Sequence, residues 1–312
     1  MIVRVVRSGL VEAEHPVSAA AVDGTGKILA SFGADLDRDF FGRSVVKPFQ
    51  TFVSQRAGAD LGTEQTAIAT ASHGGQPLHV AFVRRMLAEA DLTEADLRCP
   101  PARPSTAGAD RRWYASGSLE PLRVFHGCSG KHAAMLRACR ASDWSFDYTA
   151  GDHPLHAEVM DIVSTATGRS VGPVGVDGCG VPTLRTDTVA LARGYAAFSR
   201  DVEFASILGA IRRYPSLTSD GDRREAMINR WVPGFVKGGA AGCIAAAWSE
   251  GGVGFAAKAW TGDDTAATAA LVGLMDRVGI VADYQRDRLA DVVSAPVLGG
   301  GVPVGRYELV AP

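Results

Sequence analysis

Strand-like segments stand at both ends of this chain, and helix-like segments fill the middle. Valine-rich residues 2–7 open the sequence, and Asp23-Gly-Thr-Gly26 marks the turn of a predicted hairpin over 17–32. A second hairpin over 243–258 and a strand over 306–310 come near the end. Because strands must pair and bury an apolar face, we expect the two ends of the chain to meet in one sheet.

Helical periodicity dominates the residues between these strands. Apolar side chains recur at helical spacing over 45–57, 63–71, 77–90, 130–141, 154–167, 183–198, 201–213 and 222–231, and again over 264–278. No internal repeat or low-complexity linker divides the chain. We therefore predict one domain over 1–312 of the α/β (α+β) class, with an antiparallel sheet from about 1–40 and 236–312 and a helical lobe of about 41–235 inserted.

Composition excludes several classes of partner. The 312 residues are 46% hydrophobic, which is ample for a large core, and the net charge is only −2. Arginine pairs such as Arg84-Arg85 are isolated, so we expect no nucleic-acid partner. No apolar run reaches the roughly 18 residues of a membrane span, and residues 1–7 lack the apolar core of a signal peptide. We expect no membrane partner and a cytoplasmic location.

Five cysteines are scattered along the chain: Cys99, Cys128, Cys139, Cys179 and Cys243. In a reducing compartment such cysteines are buried thiols, metal ligands or reactive groups, and a disulfide framework is not expected. Cys128 and Cys179 could form a metal site with His126 or His132, although no close pair has the spacing of a structural zinc site.

Lysine is scarce in this sequence. Of 32 basic residues only five are lysines: Lys27, Lys47, Lys131, Lys237 and Lys258. Arginine stays protonated in proteins, whereas a desolvated lysine can release its proton. The retained lysines are therefore expected to be enriched where a neutral amine is needed. Lys27 follows a Gly-Thr-Gly turn and is interpreted as ordinary, but the other four stand in motif-like surroundings.

The first of these motifs is Ser44-Val-Val-Lys47. Residues three apart lie on the same side of a helix, so the lysine amine is expected to reach the serine hydroxyl. Pro48 suits a first helical turn and places Ser44 at or near the helix start, where unpaired amides stabilise negative charge. A serine beside a lysine that can lose its proton is an activated nucleophile. The alternative interpretation is a capping serine followed by a solvated lysine.

Three further motifs contain the glycines that allow close approach of a ligand. They are Ala71-Ser-His-Gly-Gly75, Gly127-Cys-Ser-Gly-Lys-His132 and Val176-Asp-Gly-Cys-Gly-Val-Pro182. The second resembles an anion-binding loop before a helix but lacks the spacing of a phosphate-binding loop. In the third, Asp177 could orient a lysine or bind a substrate amine. Lys237-Gly-Gly and Lys258 follow near the end of the chain.

Taken in order, these motifs resemble the signature of the Rhizobium-type L-asparaginases. The matching segments are Arg43-Ser-x-x-Lys-Pro-Phe-Gln50, Ala71-Ser-His-x-Gly75 with His79, Cys128-Ser-Gly-Lys-His132, Asp177-Gly-Cys-Gly-x-Pro182 and Lys258. The match covers roughly residues 15–262, and the ordered set is more specific than any one motif. The resemblance implies a fold like that of serine β-lactamases and penicillin-binding proteins.

The resemblance also implies the residues of the site. It pairs Ser44 with Lys47 and Ser72 with Lys258 as two catalytic serine–lysine tandems. It implies a zinc ion held by Cys128, Lys131 and Cys179, and it places Arg43, His73, Asp177 and His132 among the substrate-binding residues.

Two positions depart from the family pattern. An acidic residue is expected where Gln76 stands, and a glutamate is expected where Ala241 stands. If either acid recognises the ligand or tunes a metal, this chain differs from the family in substrate preference or in zinc affinity.

The resulting expectation is an amidohydrolase that converts L-asparagine to L-aspartate and ammonia through an acyl-enzyme. Ser44 would attack, with Lys47 as its base, while Ser72 and Lys258 relay the proton. The alternatives are a glutaminase, a β-lactamase or D,D-peptidase, and a non-catalytic zinc or amino-acid sensor. No Ser-Asp-Asn or Lys-Thr-Gly motif supports the β-lactamase alternative. A homodimer is the expected assembly.

Overall fold

In the computed structural model, which describes residues 1–117, 120–220 and 223–310, strands from both ends of the chain join in one sheet. The strands are β1 (Ile2–Arg7), β2 (Leu10–Val22), β3 (Ile28–Phe32), β4 (Phe40–Phe41), β5 (Gly175–Val176), β6 (Pro182–Thr183), β7 (Arg185–Thr186), β8 (Gly234–Gly238), β9 (Cys243–Trp248), β10 (Val253–Ala259), β11 (Pro296–Gly299) and β12 (Val302–Val310). The α-helices are α1 (Lys47–Arg56), α2 (Thr63–Ala69), α3 (Pro77–Ala88), α4 (Ala107–Ala115), α5 (Ser129–Ala141), α6 (Pro154–Thr167), α7 (Thr188–Arg200), α8 (Ala205–Arg213), α9 (Pro215–Thr218), α10 (Arg224–Trp231), α11 (Asp264–Arg277) and α12 (Asp283–Val293).

The main sheet has eight antiparallel strands in the order β11-β12-β1-β2-β10-β9-β8, with β3 also paired to β2. The long strand β2 pairs with β1 in its first half, and its second half pairs with β10 on one edge and β3 on the other. This order places β8 at one edge of the sheet and β10 in its interior. The predicted α/β (α+β) class, with its antiparallel sheet from both ends and an inserted helical lobe, is confirmed.

Helices cover both faces of the sheet, and the small side chains of its central strands allow them to approach closely. The alanines of β2, β9 and β10 are buried, and alternate residues belong to separate cores on the two faces. Helix α7 lies so close to β10 that a Cβ on Gly254 would come within 1.9 Å of the Ala192 carbonyl oxygen. Helix α11 packs against the opposite face. Alanine and glycine therefore set how closely the helical lobe approaches the sheet.

The helical lobe largely follows the periodicity of the sequence, with two differences. Predicted helix 183–198 begins at Thr188, because Pro182–Thr183 and Arg185–Thr186 pair as strands and Asp187 caps the helix by accepting a hydrogen bond from the Ala190 amide. Helices α4, α9 and α12 and strands β4, β6, β7, β8 and β11 were not predicted as elements. Residue 222, the start of the predicted helix 222–231, lies outside the described residues.

Within residues 1–117, 120–220 and 223–310, no helix combines the length and the hydropathy that crossing a membrane requires.

Candidate active site

Ser44 lies in a 3-10 turn, Arg43–Val46, that leads directly into α1. The turn begins with strain, since Arg43 adopts a positive φ of 54° that side chains other than glycine rarely occupy. Ser44 is half-buried, and its hydroxyl makes no hydrogen bond to the described residues. Its position at a helix start agrees with the prediction, although α1 itself begins three residues later at Lys47.

Lys47, the first residue of α1, is completely buried against the loop that follows α2. Its amine donates to the Ala71 carbonyl at 2.5 Å and lies 3.0 Å from the Ser72 hydroxyl. The expected hydrogen bond to Ser44 is not formed among the described residues. The lysine of the first predicted tandem therefore contacts the serine of the second.

Ser72 receives a second amine from the sheet. Lys237, near the end of β8, donates to the Ser72 hydroxyl at 3.0 Å and to the Gly238 carbonyl at 2.9 Å. The Ser72 backbone is held as well, because its amide donates to Thr218 and its carbonyl accepts from Arg223. The Ser72 hydroxyl is thus fixed between two buried amines from different lobes.

Lys237 differs from Lys47 in having a carboxylate beside it. Glu225 on α10 lies 3.6 Å from the Lys237 amine and also accepts from the Gly238 amide at 2.7 Å. Burial lowers the pKa of Lys237 to about 8, and the Glu225 carboxylate opposes that decrease. Burial would raise the pKa of Glu225, but Lys237 and nearby hydrogen bonds outweigh it, so that pKa lies below its usual value.

The expected contact between Ser72 and Lys258 is not formed among the described residues. Lys258 lies on β10, an interior strand, and its amine donates to the carbonyls of Ala241 and Ala259. It also lies 5.6 Å from the centre of the Trp260 ring. Burial lowers its pKa. The partner of Ser72 from the sheet is Lys237, because β8 is the edge strand that faces the helical lobe.

Both serines line one cavity of about 920 Å³, which we call the serine cavity. Its wall includes Ser44, Ser72, Ser105, Arg223, Arg224, Glu225, Gly238, Gly239, Ala240 and Asp264. The end of β8 presses against the Ser44 turn, since a Cβ on Gly239 would lie 2.9 Å from the Gly42 carbonyl oxygen. The glycines after Lys237 therefore let the strand close one side of the cavity.

The predicted metal ligands come together in the structure. Lys131, in the first turn of α5, lies 3.2 Å from the Cys179 sulfur, and Cys128 interacts with both residues. The Cys179 thiol lowers the pKa of Cys128 well below its usual value, and Cys128 raises the pKa of Cys179. Burial would lower the pKa of Lys131, but the two sulfurs and Asp177 raise it overall.

This donor set fits zinc in part. Two thiols and an amine are suitable ligands, but the described residues hold no group of three or more His, Cys, Asp and Glu side chains close enough for a metal. The third protein ligand would have to be the Lys131 amine, which must lose a proton to bind a metal.

Arg43 and Asp177 form an ion pair with an Nε–Oδ1 distance of 2.5 Å. Asp177 also accepts from the Gly178 amide and lies 3.9 Å from the Cys179 sulfur. This pair connects the turn that carries Ser44 to the loop that carries Cys179. Neither residue lies on the wall of the serine cavity in the described part of the chain. Their proposed contact with substrate stays a prediction.

His73 and His132 are fully enclosed by protein. In His73, Nδ1 accepts from the Gly75 amide and Nε2 lies 3.0 Å from the Ser129 hydroxyl, so both ring nitrogens are occupied. His132 uses Nδ1 for the Tyr148 hydroxyl at 2.9 Å. Burial holds the pKa of each imidazole well below its usual value. These contacts favour a role for the two histidines in positioning loops, in preference to the predicted contact with substrate.

Three residues of the site were not predicted from the sequence. Lys237 was recognised as one of the scarce lysines but was not paired with Ser72, and Glu225 and Arg223 were not identified. For Lys237, the scarcity of lysine and the Gly-Gly that follows it were usable signals in the sequence. For the other two the sequence carries no comparable signal, because Arg223 resembles many surface arginines and Glu225 belongs to an ordinary helix.

Comparison with known proteins gives a match over nearly the whole chain. A family model described as L-asparaginase II matches residues 3–309. No curated protein matches the sequence. This match includes both lobes and every residue of the serine cavity.

Two of the solved structures that match this chain have low sequence identity to it. The first is a β-lactamase from Mycobacterium bovis, with 14% identity, coverage of 89% of this chain and 95% of that chain, and a TM-score of 0.45. The second is a protein from Bacteroides dorei that carries a provisional β-lactamase assignment, with 15% identity, coverage of 78% and 85%, and a TM-score of 0.42.

Proposed function

Since this chain belongs to the L-asparaginase II family, we propose that it hydrolyses L-asparagine to L-aspartate and ammonia through a serine acyl-enzyme. The observation that carries the proposal is the Ser72 hydroxyl, which lies 3.0 Å from both the Lys47 and the Lys237 amines beside a cavity that Ser44 also lines. Hydrolysis of an amide requires a nucleophile, a base to activate it and an acid for the departing amine, and we assign these roles to Ser44, Lys47 and Lys237.

The two lysines divide these roles according to their charges. Two ammonium groups 3.0 Å from one oxygen would repel each other in a buried site, so one amine is neutral. The Glu225 carboxylate favours the charged form of Lys237, whereas Lys47 makes hydrogen bonds only to the Ala71 carbonyl and the Ser72 hydroxyl among the described residues. We therefore assign the acid to Lys237 and the base to Lys47.

In the first half of the reaction, the Ser44 hydroxyl attacks the side-chain carbonyl carbon of asparagine. Its proton passes to Lys47 once substrate binding brings the two groups, which share no hydrogen bond among the described residues, within reach. The amide C–N bond breaks as the nitrogen takes a proton from Ser72, which Lys237 replaces. In the second half, water attacks the ester, one of its protons passes to the departing Ser44 oxygen, and the aspartic acid side chain that is released ionises in solvent. Transfer of a proton from Lys47 through Ser72 to Lys237 then restores the starting state.

Two backbone amides are suited to hold the negative charge that develops on the carbonyl oxygen. The amides of Ser44 and Ala240 donate to no atom of the described residues, and both residues line the serine cavity. One comes from the start of a helical segment and the other from the turn after β8. Donors fixed in this way stabilise an oxyanion without reorganisation.

Zinc is proposed to bind to Cys128, Lys131 and Cys179. The ion would supply a fixed positive charge at these three residues when bound. The chain's own contribution there is the Arg43–Asp177 ion pair, which ties the Cys179 loop to the Ser44 turn. We also propose that the protein works as a homodimer in the cytoplasm, where its five cysteines stay reduced.

The deciding experiment is a coupled ammonia assay on the purified protein with L-asparagine, L-glutamine and β-aspartyl amides. Ser44→Ala and Ser72→Ala are each expected to lose at least about 10²-fold in kcat/KM, and the exposed Ser206→Ala serves as the control. Mass spectrometry of the protein after incubation with a slowly hydrolysed substrate should find the acyl group on Ser44. No ammonia from any amide, or turnover of nitrocefin instead, would contradict the proposal.

A further inference from the structure

Arg223 is a wall residue of the serine cavity that the mechanism above does not use. Its Nη1 donates to the Ser72 carbonyl oxygen at 3.1 Å, and its Nη2 lies 3.5 Å from the Ser105 hydroxyl. About 40% of the side chain remains exposed. Arg223 is thus a fixed cation next to the serine relay with part of its surface open to the cavity.

A buried carboxylate lies behind this arginine. Asp220 is almost wholly enclosed, 3.7 Å from the Arg223 Nε, and it accepts from the Gln76 side-chain amide at 2.8 Å. Gly74 makes room for it, since a Cβ there would lie 2.4 Å from an Asp220 oxygen. A buried carboxylate and a backbone carbonyl therefore hold the guanidinium from two sides, which limits its rotation.

The remaining donors of Arg223 point to an anionic ligand. A guanidinium has five N–H groups; Ser72 and Ser105 engage one each, and Nε lies 3.7 Å from Asp220 without a hydrogen bond. One N–H on each terminal nitrogen is then left for a ligand, and the planar fork of a guanidinium is suited to binding a carboxylate through two hydrogen bonds. Arg224, the neighbouring arginine on the wall, makes no hydrogen bond to the described residues and is not held in this way.

We propose that Arg223 binds the α-carboxylate of the substrate, so that the enzyme selects free amino acids with a side-chain amide. This inference rests on the proposed function. In asparagine the α-carboxylate carbon and the side-chain carbonyl carbon are separated by three bonds. A carboxylate on the guanidinium beside Ser72 therefore keeps the reacting carbonyl within the same small region as the serine hydroxyls.

The test compares two amides that differ only in the carboxylate. β-Alaninamide is L-asparagine without its α-carboxylate, so the ratio of kcat/KM for ammonia release from the two compounds measures how much that carboxylate contributes to turnover. Wild-type kcat/KM should favour asparagine by at least about 10²-fold, because a site built to bind a charged group rejects an analogue that lacks it. In Arg223→Gln the preference should fall below about tenfold, through loss of asparagine turnover alone.

Arg230→Gln, an exposed position on α10, the helix that begins directly after Arg223, is the matched control and should keep the wild-type preference. Arg223→Lys retains the charge without the fork and should give an intermediate preference, which also serves if the glutamine variant does not fold. An equal loss for both amides would mean that Arg223 only holds the Ser72 backbone, and this would overturn the inference. Collapse of the preference in Arg224→Gln instead would overturn it too. No ammonia from either amide with the wild type would overturn the proposed function, and the inference with it.

Discussion

The Lys237 amine donates to the Ser72 hydroxyl at 3.0 Å, although 165 residues separate the two in the chain. Lys47 reaches the same oxygen at the same distance from the helical lobe. One hydroxyl therefore joins the edge of the sheet to the helices, and a proton can move between two amines only while both lobes keep their relative position.

Lys47→Arg is expected to abolish turnover while the fold is retained. Arginine keeps the positive charge but cannot accept a proton from serine, so kcat/KM should fall by roughly 10²–10⁴-fold or more. Lys27→Arg, at an exposed turn, is the control. The measurement is ammonia release by variants whose circular dichroism and melting match the wild type. Activity of Lys47→Arg within tenfold of wild type would mean that Lys47 is not the base.

Lys237→Met and Lys258→Met are expected to have different effects. The first removes an amine that donates to Ser72, so kcat should fall by roughly 10²–10⁴-fold. The second removes a donor to the Ala241 carbonyl, in a turn where Ala241 has a positive φ, so it should mainly lower Tm. Thermal melting and steady-state kinetics on both variants separate the two roles. A larger loss of kcat in the Lys258 variant would favour the pairing of Ser72 with Lys258 that the sequence predicted.

The pH profile should show a decreasing limb in kcat/KM above pH about 8, where Lys237 loses the proton that it supplies as the acid. Replacing Glu225 with glutamine removes the carboxylate that favours the charged amine, while burial remains. The pKa of Lys237 should then be lower still, and the limb should move to lower pH. Rate profiles from pH 6 to 10 on both proteins test this. A limb that stays in place, or moves to higher pH, would show that Lys237 is not the acid.

Asparagine should be a better substrate than glutamine. With the carboxylate held at one end of the cavity and the nucleophile fixed in a helical turn, an extra methylene displaces the carbonyl from the oxyanion donors. Misplacement of about 1 Å can reduce the rate on the order of 10²-fold. The comparison is kcat/KM for the two amides under identical conditions, and equal values would refute the prediction.

Zinc content should depend on the two cysteines of the proposed metal site. Protein purified with zinc present should bind up to one ion per chain, and Cys128→Ser and Cys179→Ser should lose it because each removes a thiolate ligand. Cys139→Ser, at a buried cysteine of the helical lobe, is the control. Elemental analysis gives the answer independently of activity. Wild-type protein without zinc and with full turnover would exclude a required metal.

Much of the architecture and part of the site could be predicted from local sequence. Alternating and helical periodicities located most elements, because each pattern reflects which side chains of one segment face the core. Short motifs brought Ser44, Ser72, Cys128, Lys131 and Cys179 into consideration, since loop and helix-start chemistry is local. The structure then places both serines on one cavity and the two cysteines beside the lysine.

Only the tertiary structure decided which lysine serves Ser72. Lys237 and Lys258 both lie on strands near the end of the chain, and the Gly-Gly that follows Lys237 is not enough by itself to choose between them. The choice depends on strand order, because β8 lies at the edge beside the Ser44 turn while β10 lies between β2 and β9. Glu225 and Arg223 join the site for the same reason. Strand order and lobe packing are determined by contacts between residues far apart in sequence, which no local pattern encodes.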